Sequence, residues 1–324
     1  MKLQILVPQY NETDIVVKPL LDSIAIQQNV DFKDIGVIIC NDGSDTYLSR
    51  EFLDSYPFRI DYHLEKHRGI SATRNSCLDY AEADYIMFCD ADDMFLNVCG
   101  FQMIYSNIAE GFDTLTSKFI EESRDRKTGE IIYVTHDFDA TYVHGKVHNR
   151  QFLIDNDLRF KDELWFNEDS YFTVLVHTIA ETHKHCKEPF YLWKWNPNSI
   201  CRSDPKSRLK TFPTMVDSND YLVDELLRRG YTERALGFVS YMLYETYFML
   251  NKPMWIEAPE YADLLEQRVA TYYKKHKGHW ESIPEEARLD IANQLRGRAV
   301  DDGMGMEIMT FNQFMWKLSH RIID

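Results

Sequence analysis

The chain has few cysteines and no long apolar run. Its six cysteines lack CxxC spacing and lie in apolar or helical stretches, which predicts reduced core thiols and argues against disulfides and a zinc site. No stretch approaches the roughly 18–20 apolar residues that cross a bilayer, and the apolar run at residues 3–7 is too short for a signal peptide. We therefore expect a cytoplasmic protein without stable membrane insertion.

The chain is also short of basic residues. Among 324 residues, 52 acidic side chains face 36 basic ones, so the formal net charge is −16. Such a charge repels the phosphate backbone of DNA and RNA, which argues against nucleic acid as a partner. The length and the 44% hydrophobic content allow a large core that is divided between two folded units.

The first hundred residues alternate short apolar runs with helical patterns, which is typical of βαβ units in a largely parallel α/β sheet. Open α/β sheets bind their ligands at the carboxyl ends of their strands. The polar loops that follow the strands therefore form the candidate site. The four predicted strands cover residues 3–7, 35–40, 60–64 and 85–89.

The pattern changes further along the chain. Residues 112–215 are mixed and include a predicted hairpin that pairs residues 112–120 with residues 131–135. Residues 216–324 show helical periodicity throughout. We therefore predict an α/β domain over residues 1–213 and an all-helical domain over residues 214–324.

An acidic motif, Asp90-Ala91-Asp92-Asp93, directly follows the fourth predicted strand. Oxygen ligands at this density suit a hard divalent ion such as Mn²⁺ or Mg²⁺ that also holds a diphosphate. The motif alone is weak evidence, because many acidic loops simply face water.

The ends of the first two strands carry polar and aromatic residues. Pro8, Tyr10 and Glu12 lie at the first, and Asp42 closes the second within Asn41-Asp42-Gly43-Ser44. A carboxylate there can accept an N–H of a nucleobase while Tyr10 stacks on the ring. The alternative is that this tetrapeptide only forms a turn.

Between these motifs lies a predicted helix that begins near Ser71, a suitable capping residue. Arg74 enters its first turns, where a guanidinium can reach a base or a phosphate. Taken alone, Arg74 also fits a solvated helix residue.

These motifs, in this order, resemble those of the family 2 glycosyltransferases with the GT-A fold. The resemblance covers residues 3 to about 95 well and continues more thinly, through Gly145-Lys146, to about residue 203. One residue is inserted in the third motif. The matching segments are Val7-Pro8-Gln9-Tyr10-Asn11-Glu12, Asn41-Asp42-Gly43-Ser44, Ala72-Thr73-Arg74-Asn75 and Asp90-Ala91-Asp92-Asp93.

The resemblance implies a GT-A domain that transfers a sugar, with inversion, from a UDP-sugar to a hydroxyl acceptor with the help of Mn²⁺ or Mg²⁺. It favours uridine as the base, although enzymes that use dTDP- or GDP-sugars share these motifs. It implies Asp92 and Asp90 as metal ligands, with Asp90 and Asp93 near the ribose and the waters of the metal. The nucleotide-sugar contacts that it implies in this part of the chain are Pro8, Tyr10, Glu12, Asp42, Arg74, Asp90 and Ala91.

A second acidic segment, Asn167-Glu168-Asp169, opens an apolar helical run. The resemblance implies that Asp169 is the general base, with Glu168 beside it. Such a group is required because the acceptor hydroxyl must lose its proton as it attacks. Without the resemblance, these acids are helix N-terminal residues favoured by the helix dipole.

An aromatic strand at residues 191–195 precedes a polar loop. The resemblance implies that Ser199 and Arg202 of this loop close over the diphosphate, although Asn198 stands where the family usually has glycine. The alternative is a structural strand with a surface loop.

The expected acceptor is a cell-surface polymer such as teichoic acid or polysaccharide, as the resemblance implies. Alternatives are transfer to a protein or to a modified DNA base, or a non-catalytic protein that binds nucleotide sugars. The presence of Asp90, Asp92 and Asp169 argues against a non-catalytic protein. A nucleotidyltransferase would need a glycine-rich loop where this chain has Tyr10-Asn11-Glu12.

The last segment places apolar residues on one helical stripe. The segment has two full positive charges, Lys317 and Arg321, and Asp324 offsets one of them. This positive charge is too small to hold a helix on a membrane surface. We expect the stripe to pack within the domain or between subunits, and we expect a homo-oligomer, a dimer or trimer. The stripe consists of Phe311, Phe314, Met315, Leu318 and Ile322.

Overall fold

The computed structural model describes residues 1–125, 128–197, 199, 209–301 and 308–321. The chain forms two compact units, Met1–Pro197 and Asn198–Asp324. The sequence placed the boundary at residue 213, whereas contacts divide the chain after Pro197. Within the residues described, no helix has both the length and the apolar composition needed to span a membrane.

The described part of the first unit contains one sheet of nine strands. Their order is β3-β2-β1-β4-β8-β6-β9-β5, with β7 paired to the outer part of β6. The strands are β1 (Leu3–Gln9), β2 (Ile35–Asp42), β3 (Arg59–Glu65), β4 (Tyr85–Phe88), β5 (Met94–Phe95), β6 (Thr114–Arg124), β7 (Ile131–His136), β8 (Lys146–Asn149) and β9 (His183–Trp193).

The four strands predicted from the first hundred residues are confirmed as β1 to β4. They pair in parallel, with β1 between β2 and β4 and β3 outside β2. Every residue of β1 and β2 is buried, as expected for strands covered on both faces. Because the strands are parallel, the loops after them meet along one edge of the sheet.

The other half of the sheet is mixed. β8 lies antiparallel between β4 and β6, and β9 runs parallel to β6. The predicted hairpin is confirmed as β6 and β7. The apolar residues of β7 are exposed, so this ribbon extends beyond the core.

Six α-helices flank the sheet in the described part of this unit. The helix that carries Arg74 begins at Ile70, after Gly69 in a left-handed conformation with φ 91°. The predicted cap at Ser71 is wrong, because its hydroxyl donates to the Leu164 carbonyl at 2.6 Å instead. The helices are α1 (Asp14–Ala25), α2 (Arg50–Leu53), α3 (Ile70–Tyr80), α4 (Gly100–Ile108), α5 (Arg150–Asp155) and α6 (Glu168–Ile179), and a 3₁₀ helix spans Phe32–Asp34.

The main core of this unit lies around β1, β2 and β4 and includes Phe95, Phe101, Phe119 and Tyr191. The predicted reduced thiols are confirmed for the five cysteines that the structure describes, all of which are free. Cys201 lies outside the described residues.

The described part of the second unit is helical, as predicted. Phe314 and Leu318 of its last helix are buried, which confirms that this stripe packs within the structure, while Ile322 and Asp324 lie outside the described residues. The helices are α7 (Phe212–Arg228), α8 (Thr232–Leu250), α9 (Pro259–Ser282), α10 (Glu285–Asp301) and α11 (Phe311–His320), with a 3₁₀ helix at Pro253–Glu257.

Candidate active site

Hydrogen bonds join the loops that follow β1 and β2. The Asn11 amide donates to the Ser44 hydroxyl at 2.8 Å, and the Asp45 amide donates to Asn11 Oδ1 at 2.9 Å. The Glu12 carboxylate accepts the Tyr10 amide at 2.6 Å, which folds the first loop on itself. The first two predicted motifs therefore form one connected structure.

Asp42 holds the loop that follows β3. Its two carboxylate oxygens accept the backbone amides of Arg68, at 2.7 Å, and Gly69, at 2.9 Å. His67 Nδ1 lies 2.9 Å from the same carboxylate. Gly43 follows with φ 67°, and a Cβ at this position would lie 2.5 Å from the backbone nitrogen of His67. Asp42 thus does more than form a turn, since it orders the start of α3.

Tyr10 lies on the open side of these loops. Its side chain is 50% exposed and stacks on the His67 ring with the centroids 4.7 Å apart. Pro8, in contrast, is buried within β1. The exposed aromatic pair is the feature of this region that suits a planar base.

Arg74 is buried, so its interpretation as a solvated helix residue is wrong. Its side chain is 4% exposed; Nη1 donates to Glu168 at 2.6 Å and Nη2 donates to Asp90 at 3.0 Å. Its Nε has no hydrogen-bond partner among the described residues. The guanidinium thus lies between two carboxylates instead of extending into solvent.

The acids of the Asp90–Asp93 motif have different surroundings. Asp93 is fully buried and accepts the Tyr191 hydroxyl at 2.5 Å and the Lys194 amide at 2.9 Å. Burial raises the pKa of Asp93 well above its usual value, and neighbouring Asp90 acts in the same direction. Asp93 therefore anchors the end of β9 to the acidic loop.

Asp90 and Asp92 are more accessible, and Ala91 between them is buried. Burial acts to raise the pKa of Asp90, but the charge of Arg74 outweighs it and holds that pKa below its usual value. Burial raises the pKa of Asp92, which accepts the Asn196 side-chain amide at 2.7 Å. Burial also raises the pKa of Glu12 to about 7, and the charges of Asp92 and Asp90 contribute. Glu12, Asp90, Asp92 and Asp93 therefore form one electrostatic cluster.

The donor atoms present fit a divalent metal ion. Ligand atoms of Asp90, Asp93 and His144 all lie within 4.8 Å of one another. His144 is buried, and its Nδ1 has no hydrogen-bond partner in the described part of the chain, although Asp93 lies 3.9 Å away. Carboxylate oxygens suit Mn²⁺ and Mg²⁺, and an imidazole nitrogen suits transition metals, so this donor set fits Mn²⁺ better than Mg²⁺. Sequence reasoning missed His144 because it is distant in the chain and lacks metal-ligand spacing.

Glu168 and Asp169 begin α6, after Asn167 in a left-handed conformation with φ 60°. Asp169 is half-buried, and one of its oxygens accepts the Ser170 amide at 2.7 Å. Burial raises the pKa of Asp169 to about 7; the charge of Glu168 adds to the rise, and Arg74 opposes it. Asp169 can therefore accept a proton near neutral pH.

Lys146 is a buried cation that sequence reasoning did not assign to the site. Its ammonium donates to the Tyr142 carbonyl, and burial lowers its pKa to about 8. The charges of Asp139 and Asp169 oppose this decrease. The sequence signal that could have assigned Lys146 to the site was its position in Gly145-Lys146, one of the segments that carry the family resemblance.

Two predicted site residues, Ser199 and Arg202, follow β9 in the chain. Ser199 is half-buried. Arg202 lies outside the described residues.

Comparison with known proteins confirms the family resemblance and the predicted fold class. A model of glycosyl transferase family 2 matches residues 4–136. The chain is 27% identical over 224 residues to the uncharacterized glycosyltransferase EpsJ of Bacillus subtilis, covering 61% of this chain and 62% of EpsJ, which is less than two thirds of that protein. It is 25% identical over 243 residues to a Campylobacter jejuni protein described as GalNAc(5)-diNAcBac-PP-undecaprenol beta-1,3-glucosyltransferase, covering 69% of this chain and 75% of that protein.

The fold is shared with a solved glycosyltransferase. The crystal structure of Staphylococcus aureus TarS residues 1–349 in complex with UDP-GlcNAc superposes with a TM-score of 0.53 and 18% sequence identity, covering 92% of each chain. The α/β sheet with its acidic loop and the helices that follow correspond to the predicted GT-A domain and helical domain. Residues 4–136 therefore form a glycosyl transferase family 2 domain, and the chain has the GT-A fold.

Proposed function

We propose that this protein transfers a sugar, with inversion, from a UDP-sugar to a hydroxyl group of a cell-surface polymer, a teichoic acid or polysaccharide. The observation that carries the proposal is the position of Asp169. Its pKa is raised to about 7 by burial, and its neighbour Glu168 is joined through Arg74 to Asp90 of the acidic loop. A group able to accept a proton thus belongs to the same network as the acids proposed to bind the donor.

In the proposed reaction, Asp169 accepts the proton of the acceptor hydroxyl while the oxygen of that hydroxyl forms a bond to the anomeric carbon. The bond from that carbon to the diphosphate oxygen breaks, and UDP leaves with the bonding electron pair. Because attack and departure occur on opposite sides, the configuration at the anomeric carbon inverts. Glu168 keeps Arg74 in place beside the base.

Asp92 and Asp90 are the proposed metal ligands, and Asp93 and His144 complete the set of donors that the structure brings near Asp90. A bound Mn²⁺ or Mg²⁺ would supply positive charge against the leaving diphosphate. Glu12 lies in the same electrostatic cluster and helps to shape it.

We propose the exposed face of Tyr10 as the stacking surface for the base, with Asp42 shaping the surrounding loops. Pro8 and Ala91 support these loops from buried positions. Arg74 contributes by holding Asp90, and Ser199 and Arg202 are proposed to close over the diphosphate. The TarS complex with UDP-GlcNAc supports a UDP-sugar as donor.

The polymer acceptor is supported by the relatives. The Campylobacter jejuni protein is described as a glucosyltransferase that acts on a glycan linked to undecaprenol. We propose that the enzyme acts in the cytoplasm, where UDP-sugars are made, and that it works as a homo-oligomer.

The test is a screen for slow hydrolysis of UDP-, dTDP- and GDP-sugars with and without Mn²⁺. We expect one UDP-sugar to be hydrolysed in Mn²⁺ and not in EDTA, and we expect Asp92→Ala to remove the activity. The proposal is wrong if no nucleotide sugar is bound or hydrolysed under any of these conditions.

A further inference from the structure

The loop that leads into the proposed base is fixed against α3. The Asn75 side-chain amide donates to the Phe160 carbonyl at 2.9 Å and to Asp162 at 2.7 Å. The Phe160 amide donates back to Asn75 Oδ1 at 3.0 Å. Three hydrogen bonds from one side chain thus hold residues 160–162.

The same loop is fixed again directly before Trp165. The Leu164 carbonyl accepts the Ser71 hydroxyl at 2.6 Å, and the Leu164 side chain is buried. Trp165 itself is 50% exposed. The exposure of this indole is therefore a property of an anchored loop, in which the neighbouring residue is held in the core.

Trp165 is also near the proposed base in the chain. It precedes Asp169 by four residues, which at roughly 3.3–3.6 Å per residue limits their Cα separation to about 14 Å. The left-handed turn at Asn167 shortens this path before α6 begins. The indole is therefore within reach of an acceptor chain whose hydroxyl lies at Asp169.

The charges around Trp165 distinguish between classes of acceptor. The basic residue of the same loop, Lys161, precedes Trp165 by four residues, and its Nζ lies 3.7 Å from Glu163 Oε2. Arg159 is paired with both carboxylate oxygens of Asp79, at 2.7 and 2.9 Å. These basic groups are neutralised by acids, so this region offers poor attraction for phosphate.

Residues 161–169 carry four acidic side chains and one basic side chain, Lys161. Glu163 and Glu168 are themselves paired with Lys161 and Arg74, so this surface offers little net attraction to a polyanion, whereas its exposed carboxylates can accept hydrogen bonds from sugar hydroxyls. The face of an indole has negative charge density that attracts the C–H groups on the apolar face of a pyranose ring. A flexible polyol phosphate has no such ring face. The acidic side chains are Asp162, Glu163, Glu168 and Asp169.

We propose that Trp165 binds the acceptor by stacking on an uncharged pyranose ring, so that the acceptor is a neutral glycan rather than a polyol phosphate polymer. This rests on the proposed function, which supplies the transfer reaction at Asp169. Trp165 is then a specificity residue that holds the sugar next to the reacting hydroxyl.

The experiment compares Trp165→Ala and Trp165→Phe with Trp316→Ala, which removes a tryptophan that is 63% exposed in the other unit. Transfer is measured with neutral gluco-, galacto- and chito-oligosaccharides and with 1,3-poly(glycerol phosphate). We expect a neutral oligosaccharide to be the acceptor, with its KM raised roughly tenfold or more in Trp165→Ala. Trp165→Phe should recover most of this loss, and Trp316→Ala should match the wild type.

UDP affinity and the thermal unfolding midpoint establish that each variant is folded. Binding of the same oligosaccharides, followed by tryptophan fluorescence, should show quenching that is lost in Trp165→Phe and kept in Trp316→Ala. The inference is overturned if 1,3-poly(glycerol phosphate) is the acceptor, or if Trp165→Ala leaves the acceptor KM unchanged. In both cases transfer persists and the proposed function stands, whereas a wild-type protein that neither binds UDP nor uses any nucleotide sugar would refute both.

Discussion

Arg74 and Glu168 form an ion pair with 2.6 Å between Nη1 and Oε1, although they lie 94 residues apart in the chain. The pair connects α3 with the first turn of α6. Because the other nitrogen of the same guanidinium donates to Asp90, one buried cation links the proposed metal site to the segment that carries the proposed base. A single side chain therefore links these two acidic regions.

Replacing Arg74 should destabilise the first unit strongly. Arg74→Met leaves Glu168 and Asp90 without their counter-charge in a largely buried site, so we expect a loss of about 3–5 kcal/mol in the free energy of unfolding. The matched control is Arg159→Met, which removes an exposed pair with Asp79 and should cost about 1 kcal/mol or less. Urea unfolding measures both values. Equal losses in the two variants would contradict the structural role assigned to Arg74.

Asp169→Asn should separate donor binding from transfer. Asparagine has nearly the same shape but cannot accept the proton, so we expect transfer to fall roughly 10²- to 10⁴-fold while UDP-sugar affinity persists. Glu110→Gln, which removes the charge of an exposed acid paired with Lys184, is the control and should keep the wild-type rate. Steady-state kinetics with calorimetry of donor binding provide the comparison. Near wild-type turnover by Asp169→Asn would show that another group is the base.

The rate of transfer should depend on the ionisation of Asp169. Burial raises the pKa of this carboxyl to about 7, so its proton-accepting form is lost as the pH falls through that value. We expect the rate to decrease about tenfold per pH unit below this point and to level off above it. The residual activity of Asp169→Asn should lack this acid limb. A wild-type rate that stays constant from pH 5 to pH 8 would be incompatible with the assignment.

Donor affinity should require a divalent ion. Asp92→Ala removes a proposed ligand, so we expect UDP-sugar binding to collapse even in the presence of Mn²⁺. Asp54→Ala, which removes an exposed acid at the end of α2, should bind as the wild type does. Titration calorimetry in Mn²⁺ and in EDTA gives the affinities. The same affinity for the wild type in both buffers would rule out a metal-dependent donor site.

The protein should self-associate as a dimer or trimer. Several apolar side chains of the second unit stay exposed although its core is formed, and association would remove them from water. Sedimentation at micromolar concentration measures the mass, with 38.3 kDa expected for one chain. A monomer that also floats with anionic liposomes would contradict both self-association and the packing interpretation of α11. The exposed residues include Leu289, Val300 and Ile308.

The features that could be predicted from sequence were those encoded locally. Buried strands that run into polar loops identified β1, β2 and β4, and parallel pairing explains why the loops that they carry meet. The burial of Arg74 could not be predicted, because its partner in α6 has no local relation to α3. His144 and Lys146 were missed for a similar reason, since the segment that enters the sheet as β8 beside β4 is distant in the chain from the acidic loop that follows β4. The predicted cap at Ser71 was wrong because a tertiary hydrogen bond uses that hydroxyl.

The dependence of Asp93 on Tyr191 has a consequence for folding during synthesis. The acidic loop emerges from the ribosome about a hundred residues before the hydroxyl that satisfies its buried carboxyl. β5 also has β9 as its strand partner, so this edge of the sheet cannot close until residue 193 has left the exit tunnel. A nascent chain limited to the segment that matches the family model has unpaired strands and a carboxyl without its tyrosine partner, so it is more prone to aggregation than the completed unit.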